Sequence, residues 1–255
     1  MSLVHRLDGP EDAPLVVLGP SLGTTSGLWD PQLDALTRHW RVLRYELPGH
    51  RGTPVPDGPF GIDDLADAVI GLLDQVGAAQ AAVAGVSLGG AIAMTTALRA
   101  PERVASLALI CTSPKFSDPG PWRERAALVR REGVEGIAES APSRWFTPFF
   151  ADTEPYVAMV KSADPEGYAA CCDALADFDV TSQLGRITAP TLVVAGAEDK
   201  PTPPHGHADV LADRIPDAVL TVVGNAGHLA NVEQPGPVTD ALIHHLTRTW
   251  KGPAA

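Results

Sequence analysis

Gly85-Val86-Ser87-Leu88-Gly89 sets a serine between two glycines, directly after an apolar run at residues 81–84 and directly before a helical stretch at 90–99. A strand that passes into a helix through this G-x-S-x-G pattern makes the sharp turn called a nucleophile elbow, which exposes the central hydroxyl. The glycines suit that geometry: a strained backbone at Ser87 brings neighbouring chain close enough to exclude side chains at 85 and 89. A five-residue pattern this loose needs its context, so the reading depends on the elements around it.

Outward from the elbow, strand and helix signals alternate. Residues 14–19 (PLVVLG) and 41–46 (RVLRYE) predict strands on either side of a helix at 30–38. Residues 62–76 carry Leu65, Val69, Leu72, Leu73 and Val76 at helical spacing, and Asp63, Asp64 and Asp67 stand near the end where the helix dipole favours acids. Further strands are predicted at 81–85, 104–111 (VASLALIC), 191–196 (TLVVAG) and 219–223 (VLTVV). Near-continuous apolar strands alternating with helices predict an α/β fold, a mostly parallel central sheet with helices on both faces. Between 111 and 191 the strand signal stops. Helical patches take over at 122–131, 134–140, 154–162 and 166–178, and the prolines at 142, 148, 155 and 165 are expected to break them. A structureless connection of that length is rare in a compact domain. Residues 114–185 therefore read as a helical cap insertion in a core built from 1–113 and 186–255. A Pro/Gly-rich loop covers 53–61, and the tail after Trp250 is expected to fray.

Composition narrows the partners. The 255 residues carry a formal net charge of -12, which disfavours nucleic acid and anionic membrane surfaces. An anionic substrate would need a local cationic patch set against that field. The first residues, Met1-Ser2-Leu3-Val4-His5-Arg6, contain no apolar signal core, and no run approaches the ~20 residues of a membrane span, so a cytoplasmic protein is expected. Cys111, Cys171 and Cys172 are odd in number and two are adjacent, a poor disulfide framework. With no His or Cys at ligand spacing beside them, Cys171 and Cys172 read as small residues packing a helix, and no metal is expected.

A serine hydroxyl needs an imidazole to take its proton, and the imidazole needs a carboxylate to fix its tautomer. In this fold the chain order is serine, acid, histidine. Of eight histidines, His228 follows the last strand, in Gly224-Asn225-Ala226-Gly227-His228, beyond the carboxyl end of the sheet where α/β enzymes keep their sites. His50, in Pro48-Gly49-His50-Arg51-Gly52, is its rival, whereas His244 and His245 read as surface residues of the last helix. Asp199 follows the penultimate strand and is the candidate acid, with Glu198 expected to face solvent. For the oxyanion, the candidate donors are the N–H of Leu88, next to the nucleophile, and of Leu22 in Pro20-Ser21-Leu22-Gly23-Thr24.

Nearly the whole chain resembles the α/β-hydrolase superfamily, and within it the 3-oxoadipate enol-lactone hydrolases. The resemblance is carried by Ser21-Leu22-Gly23-Thr24, Trp29-Asp30-Pro31-Gln32, Arg44-Tyr45-Glu46, Pro48-Gly49-His50, the elbow, Ala100-Pro101-Glu102-Arg103-Val104, Arg144-Trp145-Phe146-Thr147-Pro148, Gly167-Tyr168-Ala169-Ala170-Cys171-Cys172, Thr202-Pro203-Pro204 and His228-Leu229-Ala230-Asn231-Val232-Glu233-Gln234-Pro235. Two positions depart from the superfamily pattern. Pro20-Ser21 replaces the usual His-Gly, and Arg51 stands where a glycine is common. The resemblance implies a small anionic lactone as substrate, opened by Ser87, Asp199 and His228 through an acyl-serine, with no cofactor. It further implies Arg144 as the cation for the substrate carboxylate and Trp145 as a wall of the pocket, with Lys115, Lys161, Lys200 and Arg51 as weaker cations. A carboxylesterase or carbon–carbon bond hydrolase would keep the same catalytic residues and change the cap. A non-catalytic receptor on the same fold is the rival from another class.

Overall fold

The computed structural model describes residues 1–252; the end of the tail expected to fray, 253–255, lies outside the described residues. Among these described residues seven strands form one sheet: β1 His5–Asp8, β2 Leu15–Gly19, β3 Arg41–Tyr45, β4 Ala81–Val86, β5 Val104–Ile110, β6 Thr191–Gly196 and β7 Ala218–Val223. Their order is β1-β3-β2-β4-β5-β6-β7, parallel throughout except that β1 runs antiparallel to β3. Six of the seven match apolar runs in the sequence. β1 does not, because its His-Arg-Leu-Asp is a partly exposed edge with no buried face to mark it.

Among the described residues ten α-helices accompany the sheet: α1 Asp30–Leu36, α2 Ile62–Gln75, α3 Leu88–Arg99, α4 Pro119–Glu132, α5 Glu135–Trp145, α6 Glu154–Lys161, α7 Pro165–Ala176, α8 Asp209–Arg214, α9 Ala230–Glu233 and α10 Pro235–Thr249. Helix α3 packs against β2, β4 and β5, and α10 against β5, β6 and β7. Since β2, β4 and β6 are buried at every position, helices cover both faces, as continuous apolar strands require. His245 corrects the surface reading made for it. It is half-buried, with Nε2 2.9 Å from the Oγ of Ser106 on β5, so it ties α10 to the sheet.

Helices α4 to α7 leave the sheet after β5 and return before β6. Their two ends run side by side: Val180 N–H donates to the Pro114 carbonyl (3.0 Å), and Lys115 pairs with Asp179 (3.2 Å). The prolines break less than expected. Pro155 and Pro165 sit in the first turns of α6 and α7, where no N–H is needed, and Pro142 lies inside α5, which continues past it to Trp145. Cys171 and Cys172 are buried on α7, and burial raises both thiols above their ordinary values.

Candidate active site

Every candidate residue from the sheet lies at the carboxyl end of a parallel strand. Ser21 and Leu22 follow β2, Ser87 follows β4, Asp199 follows β6 and His228 follows β7. Ser87 has φ 55° and ψ -115°, a region that L residues rarely occupy. The strain is held from both sides: its N–H donates to the Ile110 carbonyl (2.9 Å), and its carbonyl accepts from the Thr112 hydroxyl (2.7 Å). A methyl group at Gly85 would overlap the Gly89 carbonyl, and one at Gly89 would overlap that of Gly19. Both glycines are therefore required by close approach, as the sequence suggested.

Asp199 and His228 are buried and bonded to each other. His228 Nδ1 lies 3.0 Å from both Oδ1 and Oδ2 of Asp199. A second residue, given no role in the sequence beyond its place in the Thr202-Pro203-Pro204 resemblance, completes the acid: Thr202 donates its N–H to Oδ1 (2.9 Å) and its hydroxyl to Oδ2 (2.8 Å). Burial by itself raises the Asp199 carboxyl. The charge and hydrogen bond of His228, together with the Thr202 donors, outweigh burial and hold it below the ordinary carboxylate range. With Nδ1 committed to the carboxylate, Nε2 is the nitrogen left to serve a reacting hydroxyl. Ser87 and His228 line the same cavity, and Ser87 Oγ has no hydrogen-bond partner among the described residues. Glu198 is exposed, as expected.

Among the described residues neither Leu22 nor Leu88 gives its N–H to a hydrogen-bond partner. Leu88 begins α3, where the first amides have no partner and the helix dipole favours negative charge. Leu22 lines the cavity beside Ser87. His50, the rival histidine, is buried and turned toward backbone: Nδ1 lies 2.8 Å from the Pro48 carbonyl, and Nε2 accepts the Gly23 N–H at 3.2 Å. In the same turn Arg51 has φ 41°, where a glycine would carry no strain. Burial lowers the His50 imidazole to about 4, against smaller opposing effects of Pro48 and Asp164. Between that value and the ~6.5 of an unfolded histidine, only the unfolded chain gains a proton. The part of the stability that depends on His50 is accordingly expected to be flat above about pH 6.5 and to fall as the pH drops toward 4. Urea unfolding at stepped pH is expected to show wild type losing roughly 3 kcal/mol more than His50→Gln between pH 7 and 4. Parallel curves for the two proteins would contradict it.

The cavity itself measures about 260 Å³ and is walled by Phe116, Trp122, Trp145 and Tyr168. Three cations line it: Arg125 from α4, Arg144 from α5 and Lys200 beside Asp199. Arg144, the candidate cation, lines this cavity with Ser87 and His228. Arg125 went unnoticed, although it stands one helical turn from Trp122, and its guanidinium sits 4.7 Å over that ring. Neither arginine forms a salt bridge among the described residues, whereas Arg44, Arg99, Arg103, Arg123 and Arg130 all do. Burial, and next the positive charge of Arg125, press the Arg144 guanidinium below its ordinary value. Lys200 Nζ donates to the Ser143 carbonyl of α5 (2.6 Å). Of the other cations considered, Lys115 is taken by Asp179, and neither Lys161 nor Arg51 lines the cavity.

Glu233 is a further residue whose role only the structure displays. Its carboxylate accepts the Gly227 N–H (2.8 Å), next to His228, together with the N–H (3.0 Å) and hydroxyl of Thr147. It so fastens the histidine loop to the chain that follows α5. Leu229 N–H donates to the Trp145 carbonyl across the same seam (3.2 Å).

The sequence profile of the α/β-hydrolase family matches residues 16–241. The chain belongs to that family. As an α/β-hydrolase it is 38% identical over 247 residues to 3-oxoadipate enol-lactonase 2 of Acinetobacter baylyi, covering 95% of this chain and 92% of the relative. The crystal structure of the enol-lactonase from Burkholderia xenovorans superimposes with a TM-score of 0.91 at 35% identity, covering 96% of each chain. A protein named "Putative carbamate hydrolase RutD" in Stutzerimonas stutzeri is 31% identical over 92% of both chains. Among the described residues no group of three His, Cys, Asp or Glu side chains is arranged to hold a metal ion, and no helix is long and apolar enough to cross a membrane.

Proposed function

We propose that this α/β-hydrolase opens a small anionic lactone, 3-oxoadipate enol-lactone, through an acyl-serine intermediate. Two arginines without carboxylate partners, in one cavity with Ser87 and His228, are the observation that carries the proposal. Guanidiniums held close together repel each other, and in a chain of net charge -12 acidic partners are plentiful. Leaving both unpaired at the site is destabilising unless an anion joins them, and a carboxylate matches the planar donor fork of arginine. A cavity of about 260 Å³ suits a ligand smaller than a typical drug molecule. The residues 114–185 are in this reading the cap that brings Arg125, Arg144 and Trp145 over the nucleophile. The likeness to enol-lactonases supports the choice of lactone.

In the proposed reaction Ser87 Oγ attacks the lactone carbonyl while His228 Nε2 takes its proton. The Leu22 and Leu88 amides receive the oxyanion, and the α3 dipole adds to them. Collapse breaks the ring C–O bond. His228 gives the proton to the enolate oxygen as the ring opens; an enolate stabilises negative charge far better than an alkoxide, and the enol, still tethered to the acyl-serine through its own chain, ketonises without further help. Water then attacks the acyl-serine with His228 again as base, releasing the second carboxylate. Asp199 stays ionised throughout and stabilises the imidazolium.

Loss of the enol-lactone, followed by ultraviolet absorbance, tests the substrate. Turnover well above that of neutral aryl esters and of a small carbamate is expected; preference for either alternative would replace the lactone assignment. Arg125→Met and Arg144→Met are each expected to raise KM for the anionic lactone by about 10- to 100-fold, the worth of a charged hydrogen bond, and to leave KM for a neutral aryl ester unchanged. Equal changes on both substrates would remove the anion-binding role. Because each substitution also relieves the repulsion between the two guanidiniums, neither is expected to lower Tm.

A further inference from the structure

His50 lies outside the proposed proton path, yet its ring is engaged on every side. The Pro48 carbonyl can only accept, so its bond to Nδ1 places the imidazole proton there and leaves Nε2 bare for the Gly23 N–H. Just before Gly23, the Ser21 carbonyl accepts both the N–H (3.0 Å) and the hydroxyl (2.7 Å) of Thr24. A peptide unit is planar and trans, so fixing the Ser21 oxygen aims the Leu22 N–H from the opposite edge of the same plane. The next plane along is the one His50 grips. Gly23 has φ +78°, and a glycine there has other conformations open to it. With no acceptor at Nε2, its buried N–H gains by turning toward another one, and the loop turns with it. Behind the ring stands α7: Tyr168 stacks on His50 with centroids 6.5 Å apart, and the Asp164 N–H donates to the Gly49 carbonyl (2.7 Å). Asp164 and Tyr168 are also the titratable side chains facing it, and burial keeps the imidazole neutral at ordinary pH.

We propose that His50 is a positioning residue for oxyanion stabilisation, using its bare Nε2 to hold the Gly23 peptide and thereby the Leu22 N–H at the place where charge develops. The inference rests on the acyl-transfer reading of Ser87. It assigns the histidine of the Pro48-Gly49-His50 turn a task distinct from that of His228.

The test is the second-order rate at which a fluorophosphonate labels Ser87, since its phosphoryl oxygen needs the same donors and the probe does not depend on the natural substrate. His50→Leu removes the acceptor at similar volume. His50→Gln restores an acceptor that reaches the position of Nε2 without titrating. Labelling of the Leu variant is expected to slow by about 10- to 100-fold. The Gln variant is expected to stay within about threefold of wild type. Succinate, binding the cavity as a competitor in its ground state, is expected to protect wild type and the Leu variant at the same concentration. Leu and wild-type proteins labelling at equal rates would overturn the inference, as would equal slowing in the Leu and Gln variants or a parallel loss of succinate protection. Wild type that is not labelled, or Ser87→Ala labelled as fast as wild type, would instead overturn the acyl-transfer reading beneath it.

Discussion

Ser87→Ala is expected to lower kcat by about 10⁵-fold or more, because the covalent route disappears and only substrate binding and the oxyanion donors remain. The protein is expected to stay folded. Ser87 Oγ makes no hydrogen bond among the described residues, so removing it breaks none there, and alanine keeps the same backbone strain at φ 55°. The strain supplies a second arm. Glycine adopts that conformation freely, so Ser87→Gly is expected to be equally inactive yet to gain about 1 kcal/mol, or about 2–4 °C in Tm for a chain of this length. Single-turnover kinetics and thermal melts of the three proteins check both arms. Substantial turnover in the alanine variant would end the nucleophile assignment. A glycine variant no more stable than wild type would show that the elbow is not strained.

Asp199→Asn is expected to cost about 10⁴-fold in kcat while leaving the aryl-ester KM nearly unchanged. The carboxylate has no oxygen to spare for an amide: Oδ1 accepts from the Thr202 N–H, Oδ2 from the Thr202 hydroxyl, and His228 Nδ1 lies 3.0 Å from both. An asparagine NH₂ has two ways to sit, and His228 Nδ1 is 3.0 Å from both positions. In either it donates to Nδ1 and drives the imidazole proton to Nε2, where the ring can no longer accept from Ser87. At the Oδ1 position it also opposes the Thr202 N–H donor to donor in a buried site, at about 1–3 kcal/mol, whereas at the Oδ2 position the Thr202 hydroxyl can turn to accept. The first arrangement fails by chemistry and stability, the second by chemistry alone. Steady-state kinetics with chemical unfolding of the variant separate the two, and an active Asp199→Asn protein would mean that another group orients His228.

Much of this was legible in the chain. Six of seven strands announced themselves as apolar runs; for β2, β4 and β6 the reason is burial on both faces, which leaves no room for polar side chains, whereas β7 is apolar in sequence although it is largely unburied. β1 stayed hidden for the converse reason: an edge strand needs only backbone pairing, and His-Arg-Leu-Asp carries no pattern. The same logic applies to the site. Ser87, Asp199 and His228 were found because each stands a few residues past a recognisable strand, and the sheet carries those strand ends to one rim. Thr202 and Glu233 were missed in that role because hydrogen bonding to Asp199 and to the histidine loop leaves no periodic trace.

What the sequence by itself determined is therefore local or ordered: the elbow, the alternation of elements, and the order serine, acid, histidine. Those depend on backbone sterics, burial period and chain direction, which any segment declares for itself. Only the tertiary structure decided which cations gather. Arg125, Arg144 and Lys200 come from α4, α5 and the β6 loop, and they meet because helices pack in three dimensions, a fact no single segment encodes. It likewise sent His50 to the Gly23 amide instead of to Ser87, and it explained the glycines of the elbow by showing which carbonyls press against them. The candidate catalytic residues were readable because a turn must be built to present them; the surroundings proposed to choose a substrate were not, since they form only where distant segments close on one another.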